Sequence, residues 1–466
     1  MRSCLVLLFT ALLFACNTAP ENITIDGILE VPENRDDPNS RKLKLVYKVL
    51  KAKDTTSSKA PLVYLQGGPG GATLGMEAMW KNHPLRNDRD IVLMDQRGTG
   101  KSEANCIEMG NSIFNIIKQD LDQKGEIKAM EAILSKCKTT LKKEGVDLAG
   151  YTSKENAADF EDLRKALGYD KWNLWGVSYG SRLGLTIMRD FPNSVRSAML
   201  AGILAPENDP LNDSIKNFEN SLFSVLNRCE INEDCSKRYP NLKERLLKTL
   251  RKLETEPLHF DYKGKPFTLN QQEALMVMYM PLYDHNSIAD IPLLIEALET
   301  RDAEPIKNVM KNVEIIYHSL NWPMNYSVMI YEEFPFYDRA AMEETLKNSE
   351  IVTFEPVSLI SSEELTDSWH SFRATDFENK PVVSDIPTLM ISGGLDHVTP
   401  VSNASRALKH LKNGYEVLFP DDGHNLYNPC FFQIAEEFLN NPSLKPNIDC
   451  SSKRKPIEWN LSNPIQ

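Results

Sequence analysis

What most constrains this chain is a rhythm of short apolar runs that stop at glycine or aspartate and alternate with helical patterns. Leu62-Val63-Tyr64-Leu65 leads into glycines, Ile91-Val92-Leu93-Met94 stops at Asp95, and Trp172-Asn173-Leu174-Trp175 precedes a helical pattern from Gly180 to Arg189. Ala198-Met199-Leu200 follows as the next strand, and Asn156 to Leu167 reads as a helix ended by Gly168. Strands this short and this apolar are covered on both faces. Their alternation with helices therefore predicts a mainly parallel sheet between helical layers. Leu43 to Leu50 alternates apolar and polar residues and predicts a half-buried strand. Residues 17–30 and 32–40 are polar and rich in Pro, Asn and Asp, which predicts tether and turns, and 51–60 predicts a hairpin or loop.

The rhythm breaks over residues 206–375, where Leu242–Leu253, Gln271–Met280 and Ile291–Leu298 show helical spacing. It returns at Pro387–Ser392 and Tyr415–Phe419. The expected organisation is a core from 17 to 205, a helical cap from 206 to 375, and a second part of the core from 376 to 466.

The formal net charge of −12 repels phosphate backbones, so nucleic acid is not an expected partner. Residues 1–16 read as a leader: Arg2, then the apolar run Leu5–Phe14, shorter than the roughly 20 residues of a membrane-spanning helix. The run ends in Leu13-Phe14-Ala15-Cys16, which resembles a bacterial lipobox with Cys16 as the lipidated residue. Ordinary secretion is the alternative, although cleavage after Ala19 would leave Pro20 first. The expected location is the bacterial cell envelope, with contact to a membrane through the lipid alone. Six further cysteines suit disulfides in an exported protein, most simply paired in sequence as Cys106–Cys137, Cys229–Cys235 and Cys430–Cys450. None has the spacing of a zinc site, so no metal is expected.

Gly176-Val177-Ser178-Tyr179-Gly180 lies between a strand and a helix. A G-x-S-x-G turn there projects the Ser178 hydroxyl from the sheet edge as a nucleophile. Serine needs a base and the base an acid. His424, just after the strand 415–419, is the expected base, with His397 as the competitor. Asp396, just after the strand 387–392, is the expected acid, with Asp421 and Asp422 as alternatives. An oxyanion would be met by the backbone of Tyr179 and by the loop Gly67-Gly68-Pro69-Gly70-Gly71, with Gly68 preferred and Gly67 next. That loop lacks the Lys and Ser/Thr of a phosphate-binding loop, and no cofactor is expected. Asp95-Gln96-Arg97-Gly98-Thr99-Gly100 reads as structural, pinning loops.

Together GGPGG at Gly67–Gly71, DQRGTGKS at Asp95–Ser102, GVSYGS at Gly176–Ser181, DHVTP at Asp396–Pro400 and Gly423-His424 resemble the proline iminopeptidase and tripeptidyl aminopeptidase family of α/β-hydrolases. The secreted tripeptidyl aminopeptidase branch fits better, by Cys229…Cys235 before Tyr239-Pro240, Ser327-Val328 before Glu332, and the tail through Cys430 to Cys450. The resemblance implies an α/β-hydrolase core with an inserted, mostly helical cap, acting on peptides with free N-termini. It also implies carboxylates for the substrate's ammonium, for which Glu332 matches the family's cap glutamate and Glu207 lies just beyond a core strand. The chain departs from the pattern at Ala201-Gly202, where Asp-Gly is usual, and at Ile330 and before Trp369, where cysteines are usual. An esterase or other acyl hydrolase on the same three residues is the alternative function, and a non-catalytic binding lipoprotein a third.

Overall fold

The computed structural model describes residues 23–102, 104–106, 108–352, 366 and 368–462, so the expected leader and Cys16 lie outside the described residues. In chain order the strands are β1 (Thr24–Pro32), β2 (Lys42–Leu50), β3 (Leu62–Leu65), β4 (Ile91–Met94), β5 (Trp172–Val177), β6 (Val195–Ala201), β7 (Leu258–Tyr262), β8 (Lys265–Leu269), β9 (Thr388–Gly393) and β10 (Gly414–Phe419). Eight of them form one sheet in the order β1-β2-β4-β3-β5-β6-β9-β10. From β4 to β10 every pair is parallel, and β2 runs antiparallel to both its neighbours.

Every residue of β3, β4 and β9 is buried, which is why these strands read as unbroken apolar runs. One face of the sheet packs Leu62, Tyr64, Trp175 and Ile391 against Trp80 and the helix Pro429–Asn440. The other packs Val63, Leu65, Leu174 and Leu200 against the helices Ser153–Ala166 and Tyr179–Asp190.

Residues 24–30, expected as tether, instead form most of β1, paired with β2 from Thr24↔Leu50 to Pro32↔Lys42. Only Leu29 and Val31 of this edge strand are buried, so its period-two signal is two residues long.

Between β6 and β9 the chain is mostly helical, with β7 and β8 as a hairpin. Helices Ser214–Ile231, Leu242–Thr255 and Ile291–Thr300 bury Leu222, Leu246 and Ile295 in a cluster separate from the sheet. Phe114 and Ile117, from a helix Glu108–Ile117 between β4 and β5, join that cluster. The helix Trp322–Glu332 does the reverse and packs Tyr326, Val328 and Ile330 with Trp369 into the sheet-side core. Ile330 and Trp369 pack in one cluster, and Trp369 Nε1 donates to Ser327 Oγ at 2.9 Å. Disulfides join Cys106–Cys137, Cys229–Cys235 and Cys430–Cys450, the sequential pairing.

The Asp95–Gly100 loop pins its surroundings. Asp95 accepts from Leu74 N and Lys101 N, while buried Arg97 pairs with Asp159 at 2.7 Å and with backbone carbonyls of the β1–β2 turn. Gln96 Nε2 donates to Gln66 O at 2.9 Å and so braces the glycine loop.

Candidate active site

Ser178 stands between β5 and the helix Tyr179–Asp190 with φ 56° and ψ −126°, a backbone state unusual for any residue but glycine. Both flanking glycines are required by close approach. A Cβ at Gly176 would stand 2.2 Å from Gly180 O, and one at Gly180 would stand 2.0 Å from Leu65 O. The turn is held by Ser178 N on Ala201 O at 2.9 Å and by Ser181 Oγ on Ser178 O at 2.6 Å.

Asp396 and His424 sit on the loops after β9 and β10, at the same sheet edge. Leu395 N donates to Asp422 O at 3.0 Å and Gly394 N to Phe419 O at 2.9 Å, so the two loops hold each other. His424 Nδ1 lies 2.8 Å from Asp396 Oδ2. Thr399 completes the pair: its hydroxyl donates to Asp396 Oδ2 at 2.6 Å and stands 3.0 Å from His424 Nδ1, and its amide donates to Oδ1 at 2.8 Å. Burial pushes the Asp396 carboxyl up, but the neighbouring His424 and these donors outweigh it and hold its pKa below the usual range. Thr399 was visible in the sequence as part of DHVTP, but nothing there marked it as a partner of both other groups. Gly202 gives the imidazole its room, since a Cβ there would stand 3.0 Å from His424 Cε1. The adjoining residue, Ala201, accepts the Ser178 amide, so nucleophile loop and imidazole meet at one corner.

In the glycine loop, a Cβ at Gly67 would stand 3.6 Å from Ser178 Oγ. The Gly67 amide is taken by Gln66 Oε1 at 3.1 Å, whereas that of Gly68 is not so engaged. Tyr179 opens its helix, so its N–H has no acceptor within the helix.

A family model described as an alpha/beta hydrolase fold matches residues 60–230, and one described as a TAP-like protein matches residues 358–450. The chain has an α/β-hydrolase fold, and its C-terminal part matches a TAP-like family. A tripeptidyl aminopeptidase of Streptomyces lividans is 27% identical to this hydrolase over 199 residues, 40% of this chain and 36% of that protein. The serine protease Hip1 of Mycobacterium tuberculosis is 27% identical over 222 residues, 45% of this chain and 42% of its own. A probable proline iminopeptidase of Streptomyces coelicolor is 29% identical over 149 residues, covering 32% and 34%. The match thus spans little more than a third of the length of the first of these relatives.

The competing residues of the hydrolase are placed elsewhere. His397 is 1% exposed, 4.0 Å from the Tyr279 ring, with its pKa lowered to about 3 by burial. Asp421 takes Arg228 Nε at 2.9 Å, and Asp422 takes His285 Nδ1 at 2.9 Å and the Arg454 guanidinium. Glu332, expected to meet a substrate's ammonium, lies among donors of the protein itself. It is 3% exposed, accepts from Ser153 N at 2.5 Å and Ser153 Oγ at 2.8 Å, and pairs with Arg182 at 2.8 Å. Its oxygens are thus engaged by donors of the protein itself. Arg182 also pairs with Glu333 at 2.8 Å. Glu207 is half-buried beyond β6, and its carboxylate oxygens have no hydrogen-bond partner among the described residues. Its pKa is raised by burial.

A cavity of about 380 Å³ opens at Gly68 and Pro69 under the helical segment, with Phe218, Tyr279, Tyr283 and Trp322 in its wall. Among the described residues no Asp, Glu, Lys or Arg lines it. The helical segment is fastened to both catalytic-edge loops. Asn321 N donates to Gly70 O at 2.9 Å and Asn325 Nδ2 to Pro69 O at 2.9 Å. On the other side Asn425 N donates to Tyr283 O at 2.6 Å, and the Tyr283 ring stands edge-on to His424 at 5.5 Å.

Proposed function

We propose that the protein is a serine exopeptidase that releases N-terminal residues or tripeptides from short peptides through an acyl-enzyme on Ser178. The observation that carries this reading is the buried Asp396–Thr399–His424 unit held beside the Ser178 turn. With Nδ1–H of His424 directed at Asp396, Nε2 is left to take the Ser178 proton as the hydroxyl attacks a carbonyl carbon. The same nitrogen then returns that proton to the leaving amine, and water repeats the cycle to free the acyl group. Asp396 stabilises the transient imidazolium. The amides of Gly68 and Tyr179 receive the oxyanion, helped by the positive end of the helix Tyr179–Asp190. The names of the relatives support peptide as the substrate class. For location, the three disulfides support an oxidising compartment, and Cys16 would carry the anchor at the cell envelope. Among the described residues no helix is long and apolar enough to cross a membrane.

The uncharged cavity wall favours a second reading, an esterase on the same residues. A free-amine tripeptidyl anilide, its N-acetyl twin and a simple ester separate the two. The exopeptidase reading requires a clear preference in kcat/KM for the free amine. Fluorophosphonate labelling must also be lost in S178A, and labelling that survives would end both readings.

A further inference from the structure

An ammonium entering a closed cavity needs a counter-charge, or its desolvation opposes binding by several kcal/mol. Among the described residues no charged side chain lines this cavity, and Glu332 shares Arg182 with Glu333. A carboxylate nevertheless stands directly behind the wall. Gln272 lines the cavity, and its Nε2 donates to both oxygens of Glu126 at 3.1 and 3.2 Å. Glu126 belongs to the helix Gln123–Lys143, inserted between β4 and β5.

Resting on the exopeptidase reading, we infer that Gln272 and Glu126 together bind the α-ammonium of the peptide substrate: Gln272 Oε1 accepts from the ammonium, and Glu126 supplies the charge behind it.

The chemistry of the pair dictates this arrangement. A carboxylate only accepts, so the amide nitrogen must face Glu126, and the carbonyl oxygen is left for the cavity. An amide held between a carboxylate and an ammonium is polarised by both, which strengthens each bond. Glu126 is 5% exposed and makes no ion pair within 4.0 Å among the described residues. Burial raises its pKa, the Gln272 bond opposes that rise, and Asp122 adds to it. The charge also reaches a second wall residue, contributing to the raised pKa of Tyr317 after burial. Glu273 nearby is pushed up to about 8, chiefly by burial, and carries its proton at neutral pH. Glu126 is therefore the carboxylate of this corner that no cation of the described residues pairs with. A blocked N-terminus or an ester brings no cation and gains nothing here.

The test uses the full chain as wild type, E126Q and Q272A, with a free-amine tripeptidyl anilide, its N-acetyl twin and a butyrate ester. Fluorophosphonate labelling of Ser178 checks the fold. Losing a hydrogen bond to a charged group predicts that kcat/KM for the free amine falls about 10- to 100-fold in both variants. The blocked peptide and the ester should change by no more than about twofold. If E126Q does not fold, Q272A decides alone, because it leaves the carboxylate in place and must still lose the preference. Variants that keep the wild-type preference, or lose free and blocked substrates alike, overturn this inference and leave the exopeptidase reading standing. A wild type indifferent to the free amine overturns both.

Discussion

Glu332 and Glu126 are both helical and both nearly inaccessible, 3% and 5% exposed, yet their surroundings differ in kind. Behind the nucleophile helix, Arg182 pairs with Glu332 and Glu333, and Ser153 fills the remaining acceptors of Glu332. Behind the cavity wall, Glu126 has a neutral amide and, among the described residues, no paired cation. In the first corner a cation is in place before any ligand arrives, shared by Glu332 and Glu333. The second stays short of one positive charge. Burial alone does not mark a functional carboxylate, and what separates the two is whether the fold already supplies the counter-ion.

The contrast can be pressed hardest where a matched charge also does chemistry. D396N should lower kcat by ~10⁴-fold, because the imidazole loses the group that fixes its tautomer. Thermal melting should change little, and near-normal turnover would remove Asp396 from the proposed triad. Next in size is R182M, which strands two buried carboxylates and should destabilise the protein by about 3–5 kcal/mol in urea unfolding. E126Q, by contrast, removes a charge with no counter-ion, so its midpoint should stay level or rise. Equal losses in the two variants would erase the distinction between the corners. T399V removes one donor to Asp396 and should cost about 1.5–3 kcal/mol in kcat/KM, with KM little affected.

A separate effect concerns pH. Glu273 has a folded pKa of about 8 against roughly 4.3 when unfolded, so the folded state favours its neutral form. That contribution is fully present below the unfolded value and is lost as pH rises toward 8. Melting temperatures taken from about pH 5 to 8 should fall in the wild type and fall less in E273Q. Parallel curves would show that Glu273 is not the titrating group.

The central strands β3, β4 and β9 were legible because burial on both faces leaves runs such as Leu62–Leu65 wholly apolar. The loops that carry Asp396 and His424 were legible because each follows a strand-like run, at 387–392 and 415–419. β1 was not, since an edge strand needs only Leu29 and Val31 inward and can be polar elsewhere. The hydrogen-bond role of Thr399 was hidden because it depends on an imidazole 25 residues away. The same holds for the two glutamates. Arg182 lies 150 residues from Glu332, and Gln272 lies 146 from Glu126, so no local pattern tells which carboxylate is answered.

The fastenings at Asn321–Gly70 and Asn425–Tyr283 have a mechanical consequence. The roof is riveted to the loop that would receive the oxyanion and to the loop that carries the imidazole. Prising it up at either rivet would spoil the catalytic alignment beneath. A long strand laid across the groove would need both rivets cut. A chain end poked in between them would need neither.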